Sequence, residues 1–237
     1  SVAPVPTALS PVLSLEQSVY KAIVLGVRDY VNQNGFSGVV LGLSGGIDSA
    51  LTLALAVDAL GADRVEAVLM PSRYTAPMSI EDAKEEASLL GVTIHQVSIE
   101  PLFSTLLTSL DPFFAGTETD TTEENLQARC RGMILMAISN KRGSMVLTTG
   151  NKSEMAVGYA TLYGDMAGGF AAIKDLPKML VYRLADYRNS LSQVIPERVI
   201  KRPPSAELAP DQEDQDSLPP YPILNQILER YIEQDQS

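Results

Sequence analysis

The sequence is poor in the side chains that build disulfide frameworks and metal sites. Its 237 residues include one cysteine, Cys130, and one histidine, His95. A single thiol excludes an internal disulfide framework and a cysteine-rich zinc site, and it is typical of a reducing compartment. A lone histidine within an apolar stretch is more often structural than catalytic, and we expect a structural role for His95.

Positive charge and long apolar runs are also scarce. The chain has 29 acidic against 18 basic residues, a net charge of −11, which argues against nucleic acid as the main partner. No stretch approaches the ~18 uncharged apolar residues of a membrane-spanning helix, and no basic-then-apolar signal pattern stands at the N-terminus. We therefore expect neither a nucleic-acid nor a membrane partner, and the cytoplasm as the location.

A distinctive turn follows one apolar run of the chain. The run Val39–Leu43, broken only by Gly42, predicts a strand buried on both faces of a parallel sheet. The turn Ser44–Ser49 reads Ser-Gly-Gly-Ile-Asp-Ser and leads into a helix rich in alanine and leucine. Free backbone amides and the helix dipole at such a turn favour a bound phosphate.

This turn lacks the lysine of a Walker A motif and carries Asp48 instead. A carboxylate beside phosphates makes sense when a divalent cation lies between them. Glu154, which follows the predicted strand Ser144–Thr149, is the natural second carboxylate for a Mg²⁺ shared with Asp48, because magnesium completes its shell with water and phosphate. The alternative is an ordinary Gly-Gly turn with a solvated Asp48.

Hydrophobic periodicity predicts strands that alternate with helices. Strands are predicted at 39–43, 65–71, 92–99 and 144–149, and helices from 15 to near Asn34-Gly35 and at 48–57, 79–90, 101–110, 121–140, 176–187 and 223–233. This alternation predicts an α/β fold with a doubly wound, mainly parallel, Rossmann-like sheet, helices on both faces, and ligands at the carboxyl ends of the strands. Residues 1–14, with three prolines and no charge, are typical of a linker or arm, and 15–237 are predicted to form the domain.

The helix predicted over Thr121–Asn140 leaves two questions open. Its apolar face is suited to the core or to a subunit interface. Its polar side chains include Arg129 and Arg131, for which binding of a carboxylate or phosphate and solvated surface charge are equally open interpretations.

Several separated motifs resemble one family. Ser44–Ser49 resembles the pyrophosphate loop of the ATP pyrophosphatases, which cleave ATP between its α and β phosphates. The blocks Thr121–Arg129, Thr148–Glu154, Tyr159–Asp165 and Lys201–Tyr221 narrow the resemblance to the synthetase domain of the NAD synthetase family, in its glutamine-dependent form. The resemblance implies the ATP pyrophosphatase version of the Rossmann-like fold.

The resemblance implies a two-step ligase reaction. The carboxylate of deamido-NAD attacks the α-phosphate of ATP and releases pyrophosphate, and ammonia then displaces AMP to give NAD. Mg²⁺, ATP as co-substrate and a homodimer are implied with it. Glutamine-dependent members also carry an N-terminal glutaminase domain, which nothing in this sequence resembles, so we expect an excised synthetase domain that uses free ammonia.

The resemblance also implies roles for individual residues. The catalytic set is Asp48 and Glu154, which hold the metal, Lys178 near the phosphates, and Asp165 near the nicotinate ring, where it would take a proton from ammonia. Residues matched to ATP binding are Gly42, Ser44, Gly45, Gly46, Ser49, Thr149 and Ser205. Residues matched to deamido-NAD binding are Asn125, Arg129, Tyr163 and Asp165.

The proline-rich, acidic segment 201–222 has a composition that is poor for a fixed core. The resemblance implies a mobile loop over the active site that orders over ATP and substrate and excludes water. A plain exposed connector to the last helix is the alternative.

Two rival functions remain open from the sequence. Another ATP pyrophosphatase, such as GMP synthetase or a tRNA-modifying ligase, would share the Ser44–Ser49 loop but lack the Thr148–Asp165 block. A nucleotide-binding module without catalysis is the other rival, and the presence of both Asp48 and Glu154 argues against it.

Overall fold

The computed structural model describes residues 12–210 and 212–236. The strands are β1 (Val39–Gly42), β2 (Val65–Leu69), β3 (Thr93–Gln96), β4 (Met145–Thr148) and β5 (Phe170–Ala171). The α-helices are α1 (Leu15–Gln33), α2 (Ile47–Leu60), α3 (Pro77–Leu90), α4 (Glu100–Phe114), α5 (Thr121–Arg142), α6 (Lys152–Val157), α7 (Lys178–Leu191), α8 (Glu197–Lys201) and α9 (Tyr221–Leu228). Short 3-10 turns cover Ala62–Arg64 and Asp214–Asp216, and a π-helical turn, Glu229–Glu233, follows α9.

The five strands form one sheet in the order β3-β2-β1-β4-β5, and every pairing is parallel. β1 lies at the centre, with Val39 level with Val65 on one side and with Met145 on the other. This arrangement confirms the predicted doubly wound, Rossmann-like fold, and the sheet is fully rather than mainly parallel.

Alternation along the strands divides the core between the two faces of the sheet. Leu41 of β1 packs into a cluster with α1, α2, α3 and α7, whereas its neighbour Val40 packs into a second cluster with α4 and α5. Successive side chains of a strand point to opposite faces, so a run that is apolar at every position needs cover on both. The predicted helices on both faces are confirmed.

Several element bounds differ from the sequence prediction. β3 is only four residues long; within the described residues it is an edge strand that pairs with β2 alone, and it leaves Thr93 and Gln96 exposed. The loop predicted over 111–120 begins only after Phe114, since α4 continues through Pro112. A proline removes one helical hydrogen bond, and near the end of an exposed helix the freed carbonyl can bind water.

Three short elements were not predicted at all: α6, β5 and α8. Six, two and five residues respectively are too few to show a hydrophobic period. The predicted arm 1–14 lies outside the described residues except for 12–14, which are exposed. Within the described part of the chain, no helix has both the length and the apolar content needed to cross a bilayer.

Candidate active site

A cavity of about 900 Å³ opens at the carboxyl edge of the sheet. Its walls come from the segments that follow β1, β2 and β4, from the glycine-rich segment 158–167, and from the proline-rich segment 202–214. Tyr74 and Thr75, which follow β2, are part of the lining. Ligands of doubly wound sheets bind at this edge.

The Ser44–Ser49 loop is held rigid by its own hydroxyl groups. Ser49 Oγ accepts from Ser44 N (3.2 Å) and donates to Gly46 O (3.0 Å), and Ser44 Oγ accepts from Gly46 N (3.1 Å). Gly45 has a φ of +82°, and a Cβ there would lie 2.3 Å from the carbonyl oxygen of Ser79. No described side chain caps the N-terminus of α2, so this end of the helix is available to an anion.

A buried charged triad lies beside the loop. The Nζ atom of Lys178 is 2.5 Å from Asp48 Oδ2 and 3.1 Å from Glu154 Oε1, and the lysine is 1% exposed. Asn151 organises the two acids: its Nδ2 donates to Asp48 Oδ1 (2.9 Å), its Oδ1 accepts from Glu154 N (3.0 Å), and its backbone N donates to Glu154 Oε2 (3.2 Å). The ring of Tyr221 covers the ammonium at 5.2 Å.

Burial governs the ionisation of this triad. Desolvation, followed by the charge of Asp48, raises the pKa of Glu154 to about 7, although Lys178 opposes the rise. Burial acts to lower the pKa of Lys178, but the charges of Asp48 and Glu154 together raise it well above its usual value. The ammonium is therefore charged at neutral pH, and the two acids share its charge.

Asp48 and Glu154 fit the oxygen-only donor set of a Mg²⁺ ion. They converge on a single cationic nitrogen, so one cation can contact both. The described residues contain no cluster of three or more His, Cys, Asp or Glu side chains placed to hold a metal. A two-carboxylate set suits magnesium, which is commonly held by one or two carboxylates together with water and substrate phosphates.

Most of the residues predicted for the site line the cavity, and Gly45, Arg129 and Tyr163 do not. The lining includes Gly42, Ser44, Gly46, Asp48, Ser49, Asn125, Thr149, Glu154, Asp165, Lys178 and Ser205. Gly45 lies between two lining residues. Arg129 and Tyr163 do not belong to the lining: Arg129 is exposed and its Nε donates to Leu162 O (3.3 Å), and Tyr163 is 77% exposed.

Asn125 and Asp165 meet at Thr161, across the cavity wall from α2. Thr161 Oγ1 donates to Asn125 Oδ1 (2.7 Å), and Thr161 N donates to Asp165 Oδ1 (2.6 Å). Burial raises the pKa of Asp165 above its usual value, against the lowering effect of its backbone hydrogen bonds. Asn125 and Asp165 thus occupy one polar corner of the cavity.

The proline-rich segment folds over the cavity rather than running free in solvent. Arg202 donates to Gly45 O (2.5 Å), and Gln127 Nε2 of α5 donates to Leu208 O (2.8 Å). Residues 202–209 and 212–214 all line the cavity. The segment contacts both the phosphate-loop side and the α5 side of the opening.

Two functional candidates, Asn151 and Asp214, were not identified from the sequence, and a third, Arg131, was left open. Asn151 was signalled by the capping-box spacing Asn-x-x-Glu, which the structure contains in full. Asp214, 3% exposed, accepts from Tyr221 Oη (2.8 Å), a pairing between loop and helix that no local pattern shows. Arg131, left open by the sequence, lines the cavity and donates from Nε to Met70 O (3.1 Å); burial lowers the pKa of its guanidinium.

Comparisons with known proteins agree on one family. The family model described as NAD synthase matches residues 19–237. The glutamine-dependent NAD(+) synthetase of Acinetobacter baylyi (strain ATCC 33305 / BD413 / ADP1) is 60% identical over 230 residues, which cover 96% of this chain and 42% of that relative. This chain therefore spans less than half of the length of the curated relative that it matches.

Solved structures show the same similarity. The glutamine-dependent NAD+ synthetase from Acinetobacter baumannii, in complex with adenosine diphosphate, matches with a TM-score of 0.82 and 53% identity, over 98% of this chain and 42% of that chain. The NH3-dependent NAD synthetase from Campylobacter jejuni subsp. jejuni NCTC 11168, in complex with the nitrate ion, matches with a TM-score of 0.71 and 33% identity, over 78% of this chain and 76% of that chain.

Proposed function

This chain belongs to the NAD synthase family, and on that premise we propose that it is an ATP-dependent, AMP-forming ligase that makes NAD. It adenylates the nicotinate carboxylate of deamido-NAD, releases pyrophosphate, and aminates the acyl-adenylate with ammonia. The observation that carries the proposal is the triad of Asp48, Glu154 and Lys178 directly beside the rigid Ser44–Ser49 loop.

The triphosphate of ATP binds at the Ser44–Ser49 loop. The uncapped N-terminus of α2 provides backbone amides for phosphate oxygens, and the hydroxyl of Ser44 can turn from Ser49 Oγ to a phosphate oxygen while Ser49 keeps the loop in shape. Thr149 and Ser205 lie on the walls above the loop and supply further hydroxyls. The binding of adenosine diphosphate by the relative from Acinetobacter baumannii supports the proposal that this chain binds an adenine nucleotide.

Asp48 and Glu154 would hold Mg²⁺, which when bound would supply positive charge to offset the negative charge of the pyrophosphate. Lys178 balances the two acids while no metal is bound, and its position beside them makes it a cationic contact for the α-phosphate as negative charge develops there. A lysine serves this role as a compact point charge. Asn151 keeps both carboxylates oriented.

Deamido-NAD binds at the corner formed by Asn125, Thr161 and Asp165. In the second step ammonia attacks the acyl carbon, the tetrahedral adduct loses a proton, and the bond to AMP then breaks to leave the amide. Asp165 accepts this proton, because its raised pKa brings it closer to the working pH than an exposed aspartate. Arg129 and Tyr163 come into contact with deamido-NAD only where the ligand extends beyond the cavity towards the surface.

The proline-rich segment serves as the lid of the site. Its residues cover the opening and contact both sides of it. Closure of such a segment excludes water, which would hydrolyse a reactive adenylate.

A coupled assay with purified protein tests the proposed reaction. With ATP, Mg²⁺, deamido-NAD and ammonium chloride, we expect NAD, AMP and pyrophosphate in equal amounts. Glutamine in place of ammonia should give no NAD, because the glutaminase activity of the longer relatives belongs to a part that this chain does not span. Failure to form AMP from deamido-NAD, or AMP formation with xanthosine monophosphate instead, would refute the proposal.

Matched variants separate the specific role of Glu154 in the triad from the general effect of removing one negative charge. Glu154→Gln keeps the size of the side chain but removes its charge, and it should abolish Mg²⁺-dependent pyrophosphate release. Glu118→Gln, at an exposed position in the loop before α5, should keep wild-type activity. Full activity of Glu154→Gln would contradict the metal assignment.

We propose that the chain pairs as a homodimer and works in the cytoplasm, with an N-terminal glutaminase domain as its natural partner. The mass of the protein in solution, measured by light scattering with and without ATP, tests the dimer. A monomer at all concentrations used in the activity assay would exclude it.

A further inference from the structure

We propose that Ser79 is a positioning residue through which closure of the segment 202–214 fixes the shape of the Ser44–Ser49 loop. The inference rests on the proposed function, in which that segment covers the adenylate. Ser79 lies in the first turn of α3, is fully buried, and does not itself line the cavity. It therefore acts through the groups that it holds.

Ser79 contacts the phosphate loop through its backbone. Its carbonyl oxygen approaches Gly45 so closely that a Cβ on Gly45 would lie 2.3 Å away. Gly45 has no space to move towards α3, so the loop packs directly against the N-terminal end of this helix.

The hydroxyl of Ser79 connects to two residues of the covering segment. It donates to Glu207 Oε1 and accepts from Arg202 Nη1 (2.9 Å). The other terminal nitrogen of Arg202 donates to Gly45 O (2.5 Å). Ser79, Arg202 and Gly45 thus form a closed ring of contacts in which one member belongs to the lid and one to the phosphate loop.

Glu207 keeps the segment in place against a conformational cost. It has a φ of +51°, in the left-handed region that side chains other than glycine rarely adopt. Its Oε2 accepts from Ala76 N (3.3 Å), at the N-cap position of α3, where a carboxylate also benefits from the helix dipole. Loss of the Ser79 contact removes part of what holds Glu207 in this conformation.

The ring predicts what happens when the hydroxyl is removed. Without it Arg202 loses one of the two contacts that orient its guanidinium towards Gly45, the segment opens more often, and water reaches the acyl-adenylate. A water oxygen then attacks the acyl carbon, the bond to the AMP oxygen breaks, and the nicotinate carboxylate and AMP are regenerated with release of a proton. Each such event consumes ATP without forming NAD.

The experiment measures AMP and NAD side by side for Ser79→Ala. We expect more than one AMP per NAD and a KM for ATP raised on the order of tenfold, the loss that one hydrogen bond to a charged group produces. Ser139→Ala is the matched control: it also removes a buried serine hydroxyl, bonded to Ser144 O (2.7 Å) at the far end of α5, and it should leave the ratio at one. Glu207→Gln leaves the hydroxyl of Ser79 in place and tests the contact between Ser79 and Glu207 from the lid side.

The outcomes are distinguishable. A ratio of AMP to NAD above one in Ser79→Ala or Glu207→Gln, with the ratio of Ser139→Ala unchanged, supports the inference. A ratio of one in both variants overturns it, including the case in which AMP and NAD fall together, since a merely structural defect lowers both equally. Wild-type protein that forms no AMP from deamido-NAD refutes the proposed function instead.

Discussion

Removal of the buried lysine is the sharpest test of the site. Lys178→Met keeps the length of the side chain and leaves Asp48 and Glu154 without the cation that now lies 2.5 and 3.1 Å from them. Breaking a buried ion pair by removing one partner costs ~3–5 kcal/mol, because an uncompensated charge remains. For a chain of this length we expect the midpoint of thermal unfolding to fall by roughly 10 °C.

The loss of stability in Lys178→Met should depend on pH in a defined direction. Glu154 has a folded-state pKa of about 7, above its usual value of 4.5, so a bound proton stabilises the folded form. Lys178 opposes that rise, and without the lysine the pKa of Glu154 is higher still. The destabilisation of Lys178→Met should therefore be small at about pH 5, where Glu154 carries a proton, and should grow as the pH rises towards 8.

Magnesium should restore part of the thermal stability that Lys178→Met loses. In Lys178→Met the two acids are free to bind a divalent cation, which stabilises the folded state by an amount that rises with the logarithm of the cation concentration above its Kd. Thermal unfolding with and without MgCl₂ measures this, and the shift should be larger in the variant than in the wild type. Lys174→Met, which changes an exposed lysine on the turn before α7, serves as control. A Lys178→Met protein as stable as this control, with no response to pH or Mg²⁺, would refute the reasoning.

Three further substitutions test other parts of the structure. Glu86 is fully buried, neither carboxylate oxygen has a hydrogen-bond partner among the residues that the structure describes, and burial raises its pKa well above the usual value. Glu86→Leu should therefore raise the free energy of unfolding by ~1–4 kcal/mol at pH 8 and by less at pH 5 in urea titrations; a gain that fell as the pH rose would contradict this. Gly45→Ala should abolish ATP binding in calorimetry, whereas Gly35→Ala, which has a similar positive φ but open space around it, should bind ATP normally. Asp58→Asn should lower stability by about 2 kcal/mol without changing activity, because Asp58 accepts two hydrogen bonds from the guanidinium of Arg188; an unchanged unfolding curve would show that this pair contributes nothing.

The sequence predicts the framework of the fold and the place of the site from local patterns. The apolar run Val39–Leu43 and the glycine turn after it show where β1 ends and α2 begins. Because parallel strands end at the same edge of a sheet, the same reasoning places Asp48 and Glu154 near each other, although 106 positions separate them. Their contacts with one nitrogen confirm that they lie together; their roles remain proposals.

The rest of the site depends on packing between distant parts of the chain. The resemblance places Lys178 near phosphates, but its position between two acids follows from how α7 packs on α2 and α6, which no local pattern encodes. The same holds for Asp214, whose partner is Tyr221 at the start of α9. The contacts of Ser79 with Glu207 and Arg202 cannot be predicted from the sequence, because serine is a common residue in the first turn of a helix.

The two outer strands of the sheet have a consequence for self-association. An open strand edge is a template on which another chain can add a strand and begin to aggregate. In this sheet one outer strand, β3, has four residues and the other, β5, has two, so a neighbouring molecule finds few backbone groups to pair with. Copies of this chain are therefore expected to meet through exposed helix side chains, such as Met133 and Met136 of α5, rather than by extending the sheet.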